Sequence, residues 1–298
     1  MTDTPVPHRH PAVTPRPHWG AEDLWQSLEP LLPGLSIEVV ERLDSTNSEL
    51  TERLRRASRV QQDRRGGRSD DLHPQLLVAT HQTAGRGRLG RRWHATPGES
   101  LTFSLALPLA RNDWSGLSLA VGLAVVDALD PHGRHLGLKW PNDLILCDDP
   151  AHGATEGAPC LGRKLGGILI ESVAVGARRA AVIGIGLNVG AQRVTDADYG
   201  TASLAELDPE ATPQDALARV AAPLVQALLA FDQAGFEPLA DGYARRDVLR
   251  GRLVKTTDPA LPEGVAAGVD VDGALKLTAG GRTHRVLSGE ISVRLAGG

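Results

Sequence analysis

The stretch "RKLGGILIESVAVGARRAAVIGIGLNVG", residues 163–190, decides the fold. Two long apolar runs meet at Gly176-Ala177, the pattern of two antiparallel strands joined by a tight turn. Glycines interrupt both runs: Gly166-Gly167 in the first, Gly184 and Gly186 in the second. A glycine inside a strand weakens it, so each one calls for a reason: a ligand or another backbone lying close, or a bulge. Asn188 is the one polar side chain of "GIGLNV", and Arg163 and Lys164 lead into the hairpin.

Toward the N-terminus, "SLTFSLALP" (100–108), "LLVATHQ" (76–82) and "LSIEVVERL" (35–43) read as further strands. "NSELTERLRR" reads as a helix capped by Ser45 or Thr46. Residues 21–35 suggest a short helix ended by Pro33-Gly34. "SGLSLAVGLAVVDALD" (115–130) is apolar almost all round, hence a buried helix, with Ser115 as its cap. "LGLKWPNDLIL" (136–146) reads strand, turn, strand. Residues 212–233 form an amphipathic helix that Pro223 must kink or divide, and "PLADGYARRDVL" is a further helix. From Gly251 the texture changes to short strands with Gly and Asp-Gly turns. This implies a small β-barrel that leans on the larger domain, because an isolated core of that size is marginal. The polar stretches 59–75 and 147–163 read as loops. Residues 1–20, rich in Pro and His, read as a disordered tail without the apolar run of a signal peptide.

A chain of 298 residues makes one large or two modest domains, and 41% hydrophobic residues suffice for a sizeable core. Aromatics are only 3%, so that core must be mostly Leu, Val, Ile and Ala. Thirty-two basic against 36 acidic residues give a net charge of −4, which argues against a protein that lives on nucleic acid. Cys147 and Cys160 belong to no CxxC pair and no cluster with zinc spacing, so no metal site is expected. Read as two free thiols, they fit a reducing cytoplasm. No apolar stretch is long and continuous enough to span a membrane.

The chemistry concentrates in "HQTAGRGRLGRRW", residues 81–93. Gly85, Gly87 and Gly90 alternate there with Arg86, Arg88, Arg91 and Arg92. Guanidinium forks match carboxylates and phosphates, and glycines let backbone N–H groups approach an anion. No GxxxxGK[ST] loop is present. "GRGRLG" matches GxGxxG on paper, without the acidic residue that a dinucleotide site needs. A ligand loop at a strand end therefore fits better than a solvated basic loop. "KWPND" (139–143) and "DSTN" (44–47) carry compact sets of donors and acceptors. Taken alone they also suit an ordinary turn and a helix cap.

In this order "DSTN", "HQTAGRGRLGRRW", "KWPNDL", "RKLGGILIE", "GIGLNV" and the late "GEISVR" resemble the bacterial biotin protein ligases, over residues 35–295. The resemblance implies an α+β fold. A mixed-sheet catalytic domain of the class II aminoacyl-tRNA synthetase/biotin synthetase type (21–249) would be followed by an SH3-like C-terminal β-barrel (250–298). It implies two steps: biotin and MgATP give biotinoyl-5′-AMP, and a lysine of a biotin carboxyl carrier protein then takes the acyl group. Ser45, Thr46, Asn47 and Gln82 would read the ureido head of biotin. Gly85, Arg86, Gly87 and Arg88 would close over carboxylate and phosphate, and Gly166 and Gly167 would let biotin lie against the strand. Lys164 would stabilise charge between carboxylate and α-phosphate, with Arg88 and Asp143 as the other catalytic groups and Asp143 receiving the proton of the attacking lysine. Arg91, Trp93, Lys139, Asn142 and Asn188 would complete the ATP site. The form implied is the monofunctional one, cytoplasmic and without a DNA-binding domain, because residues 1–34 show no helix-turn-helix pattern. The resemblance allows monomers or homodimers. The competing substrate reading is a lipoate or octanoate ligase with the same adenylate chemistry.

Overall fold

The computed structural model describes residues 19–63, 72–147, 162–176, 178–192, 200–287 and 293–295. Among them, seven strands build a mixed sheet: β1 (Ser36–Leu43), β2 (Gln75–Gln82), β3 (Ser100–Pro108), β4 (Leu136–Lys139), β5 (Asp143–Cys147), β6 (Gly162–Val175) and β7 (Arg178–Asn188). Their order is β1-β2-β3-β7-β6-β5-β4, with β1 and β2 parallel and the other pairs antiparallel. The hairpin expected over 163–190 is β6–β7, with Ile170 opposite Ile183.

Strand alternation decides what each face does. On β3, Leu101, Phe103, Leu105 and Leu107 enter the main core. That core includes residues of α1 (Ala21–Leu28), α3 (Leu117–Leu129) and α4 (Pro213–Ala234). The opposite face carries Ala106, Val173, Val175 and Val182, covered by Leu50 and Leu54 of α2 (Thr46–Asp63). Helix α2 starts at Thr46, so beyond its N-terminus this face lies open around Gly184 and Gly186. That opening is where the site forms.

A second, antiparallel sheet holds β8 (Leu253–Thr256), β9 (Glu263–Val269), β10 (Leu275–Ala279), β11 (Arg282–Val286) and β12 (Val293–Leu295) in the order β11-β10-β9-β8-β12. As expected, it leans on the larger unit. Trp140 Nε1 donates to the carbonyl of Gly273 at 3.0 Å. A Cβ on Gly273, whose φ is +81°, would come within 2.6 Å of Gly116 Cα. Within the larger unit the guanidinium of Arg246, the last residue of α5 (Ala240–Arg246), is buried. It donates to Asp127 Oδ1 (2.9 and 2.6 Å), Asp130 Oδ2 (3.0 Å) and the carbonyls of Asp130 and Leu136.

Asp247 follows. Its Oδ1 accepts from the Leu249 N–H at 2.9 Å, while Oδ2 is out of solvent contact and has no partner. Burial pushes this carboxyl from 3.8 up to about 6. The folded chain thus holds the proton more tightly than the unfolded one, so Asp247 erodes stability as pH rises from about 4 to about 6, after which the loss is complete. Asp247→Asn is expected to raise stability at pH 7 by on the order of 2 kcal/mol and to give no gain at pH 4. Denaturant titrations at both pH values check this, and an equal shift at both would contradict it.

Several expectations need correction. Cys147 is disulfide-bonded, not a free thiol; thiol pairing depends on distance in the fold, which sequence spacing does not reveal. Helix α1 stops at Leu28, short of Pro33-Gly34. Helix α3 is capped by Gly116 in the left-handed region (φ +77°), not by Ser115. Of the two outcomes expected at Pro223, division does not occur: α4 is one helix, and its buried face, from Leu217 and Val220 to Leu228 and Phe231, outweighs one lost hydrogen bond. Helix α2 reaches Asp63 and takes the first residues of the expected 59–75 loop. Residues 1–18, 64–71, 148–161 (with Cys160) and 288–292 lie outside the described residues, so the tail, most of both loops and most of "GEISVR" are not placed.

Candidate active site

The glycines of "GIGLNV" are explained by side chains lying across them. A Cβ on Gly184 would stand 2.2 Å from Asn47 Oδ1, and one on Gly186 would stand 2.4 Å from the Trp93 ring. Over this floor the start of α2 builds a neutral polar cluster. Gln82 Oε1 accepts from the Thr46 backbone N–H (2.7 Å) and from the Thr46 hydroxyl (3.1 Å). The Ser104 hydroxyl lies 2.6 Å from both Thr46 Oγ1 and Asn47 Oδ1. Asn47 Nδ2 donates to the Leu169 carbonyl (3.1 Å) and to Glu171 Oε2 (3.0 Å). Ser45 caps the helix, its hydroxyl accepting from the Ser48 N–H at 3.4 Å.

Across the cavity the wall is cationic. Lys164 Nζ donates to Asp143 Oδ1 at 2.5 Å, and Lys139 Nζ to Oδ2 at 3.4 Å. Burial pushes the Asp143 carboxyl up, but the ammonium groups of Lys164 and Lys139 more than offset this and hold it below the usual carboxylate range. Arg88 Nη1 donates to Asn142 Oδ1 (3.4 Å), and Asn142 Nδ2 to the Ile168 carbonyl (2.9 Å). Burial lowers the Arg88 pKa, with Asp143 opposing and Arg91 adding to the effect. The Lys164 backbone is fixed on both sides: its N–H donates to Gly200 O, and its carbonyl accepts from Ala202 N–H and from Asn188 Nδ2.

Together these groups line one cavity of about 410 Å³, within the range of small-molecule sites. Ser45, Thr46, Asn47, Gln82, Arg86, Gly87, Arg88, Arg91, Trp93, Lys139, Asn142, Asp143, Lys164, Gly167 and Asn188 all border it. Gly85 and Gly166 are not among the residues that border it. A Cβ on Gly85 would strike the Trp93 carbonyl at 2.5 Å, and one on Gly166 would strike the Gly186 carbonyl at 2.6 Å. Both glycines serve backbone packing. Asp143 is the only carboxylate among the described lining residues, whereas Arg86, Arg88, Lys139 and Lys164 bring positive charge, so the cavity suits an anion. Among the described residues no group of three or more His, Cys, Asp or Glu is placed to hold a metal.

Three participants escaped the sequence reading. Ser104 had a signal: Ser100, Thr102 and Ser104 form a polar stripe at period two in an otherwise apolar strand. Glu171 had a weaker one, as the single carboxylate of an apolar strand. Arg294, which borders the cavity from β12, had none beyond its place in "GEISVR".

Comparison with known proteins agrees with this geometry. The profile of the biotin/lipoate A/B protein ligase family matches residues 42–188. A biotin–[acetyl-CoA-carboxylase] ligase of Mycobacterium tuberculosis is 32% identical over 265 residues, covering 86% of this chain and 88% of that one. The bifunctional ligase/repressor BirA of Escherichia coli is 32% identical over 273 residues, 89% of this chain and 76% of its own. The solved biotin protein ligase from Aquifex aeolicus, in complex with biotin and ATP, superposes with a TM-score of 0.68 at 24% identity, over 88% of this chain and 99% of that one; at that identity the likeness shows a shared fold.

Proposed function

The chain belongs to the biotin protein ligase family, and from this premise we propose how its own residues carry out ATP-dependent ligation of biotin to a carrier-protein lysine. The reaction joins biotin to ATP as biotinoyl-5′-AMP, releases pyrophosphate, and passes the acyl group to the lysine of a biotin carboxyl carrier protein. One observation carries the assignment of the site: a neutral donor–acceptor cluster and a cationic wall face each other across one cavity. Biotin has that polarity, a ureido ring at one end and a carboxylate at the other.

In this reading Thr46, Asn47, Gln82 and Ser45 take the ureido head, which both donates and accepts. The carboxylate and the α-phosphate meet Arg86, Arg88 and Lys164. Lys164 turns from Asp143 toward the charge that develops between them. That turn releases Asp143 Oδ1, which becomes free to accept a proton from the carrier lysine, since a protonated amine cannot attack. Asn188 positions Lys164 through its backbone and, with Arg91, Trp93, Lys139 and Asn142, borders the nucleotide. Magnesium would arrive on the triphosphate, since it keeps most of its waters and is bound through substrate phosphates. A lipoate or octanoate chain is not favoured, as it offers no partners to the cluster around Asn47.

We further assign residues 21–249 to the catalytic domain and 250–298 to an SH3-like barrel, a reading supported by the five-stranded antiparallel sheet. We place the reaction in the cytoplasm, where ATP is abundant; no described helix is long and apolar enough to cross a membrane. The reading includes no DNA partner, which the net charge of −4 supports. Strand β1 is an edge of the seven-stranded sheet, which supports homodimer pairing there.

Ser104→Ala is expected to raise KM for biotin about tenfold with little change in kcat, because it removes a buried hydroxyl that orients Thr46 and Asn47. Steady-state kinetics with varied biotin check this. The overall reading is tested by incubating the protein with biotin, MgATP and a biotin carboxyl carrier domain. Mass spectrometry should show one biotinoyl group on the carrier lysine, and an unmodified carrier beside active protein would contradict it.

A further inference from the structure

Glu171 connects the two halves of the site. Its Oε1 lies 3.1 Å from Arg86 Nη2, and its Oε2 accepts from Asn47 Nδ2 at 3.0 Å. Arg86 also reaches the Ser48 hydroxyl, in the first turn of α2, at 3.3 Å. A continuous series of contacts therefore runs Arg86–Glu171–Asn47–Ser104–Thr46–Gln82, from the Gly/Arg loop into the polar cluster. The loop's own backbone bonds, Gly87 N–H to Arg91 O and Trp93 N–H to Gly85 O, close on themselves, while its side chains reach outward through Arg88 to Asn142 and through the Trp93 ring against Gly186. Glu171, on β6, adds a further tie through Arg86. The same carboxylate fixes Asn47: of the two N–H groups on its amide, one goes to Leu169 O and the other to Glu171, so Oδ1 must face Ser104.

We propose that Glu171 is a positioning residue that holds Asn47 with one carboxylate oxygen and, with the other, anchors Arg86 so that the Gly/Arg loop stays closed over the acyl-adenylate. The proposal rests on the biotin ligase reading. Asn47, held by Glu171, receives the head group; Arg86, held by the same carboxylate beside the cluster, anchors the loop. When that tie is lost the loop opens more often and water reaches the mixed anhydride. The water oxygen bonds to the acyl carbon, the bond from that carbon to the phosphate oxygen breaks, AMP leaves and a proton passes to solvent, giving free biotin and AMP.

The test is the amount of AMP released per biotin joined to the carrier domain, with KM for biotin measured alongside, for the wild-type chain, Glu171→Gln and Glu171→Ala. Glutamine keeps an acceptor for Asn47 but loses the charge that pairs with Arg86. Glu171→Gln is expected to raise the AMP-to-transfer ratio roughly threefold to fivefold, the scale of a half-exposed ion pair, at unchanged KM for biotin. Glu171→Ala is expected to raise both. A residue that served only to hold the fold would not separate the two readouts. A wild-type ratio in Glu171→Gln overturns the proposal, as does a raised KM with the ratio unchanged. A wild-type chain that forms no AMP from biotin overturns the ligase reading itself, a separate outcome.

Discussion

Replacing Lys164 with alanine lowers biotin-dependent exchange of pyrophosphate into ATP by roughly a hundredfold to a thousandfold, the scale of losing one donor aimed at developing charge. The backbone at this position does not depend on the side chain, since Gly200, Ala202 and Asn188 hold it from both sides. The side chain is only 27% exposed and reaches into the cavity against Asp143, 6.0 Å from the Trp93 ring centroid. Its loss removes the positive charge nearest to where carboxylate and phosphate would meet. It also leaves Asp143 with Lys139 alone, at 3.4 Å, so the Asp143 pKa rises and the acidic limb of the transfer-rate profile moves to higher pH. Lys164→Arg keeps the charge but not its position and is expected to fall between the two. Exchange within threefold of wild type in the alanine variant would remove Lys164 from the chemistry.

Arg246→Ala is expected to destabilise the fold by about 3–5 kcal/mol, the loss seen when one partner of a buried ion pair is removed. Arg246 donates to two carboxylates and two carbonyls, and Asp130 remains buried without it. Burial pushes the Asp130 carboxyl up, yet the N–H groups of His135, Leu136 and Arg134, together with Arg246, hold it below 3.8. A carboxyl with a depressed folded pKa stabilises above its unfolded pKa and loses that contribution as pH falls through the folded one. The deficit of the variant is therefore largest at neutral pH and shrinks below about pH 4. Urea titrations at pH 7 and pH 3.5 check both the size and the trend. A deficit under about 1 kcal/mol at pH 7 would mean that the turn from α3 to β4 does not rest on Arg246.

The hairpin of β6 and β7 was legible because its apolar runs are long and its turn is marked by glycine, and the cationic character of the site because its arginines and lysines crowd into three short motifs. What stayed hidden depends on orientation and on distant contacts. Gly166 and Gly167 are neighbours in sequence, but only Gly167 borders the cavity; no property of a glycine pair says which one will. Ser104 acts through the start of α2, 57 residues away from Asn47 in the chain. Glu171 and Asn47 are 124 residues apart. The disulfide of Cys147 was misjudged for a related reason: a local rule about thiol spacing yields to proximity in the fold.

The central claim is that the polar cluster and the cationic wall together adenylate biotin. Exchange of labelled pyrophosphate into ATP by the purified protein, with biotin, lipoate and octanoate offered separately, tests it most directly. The structure predicts exchange with biotin alone. Exchange with lipoate or octanoate in place of biotin, or none with any acid from folded protein, would contradict it.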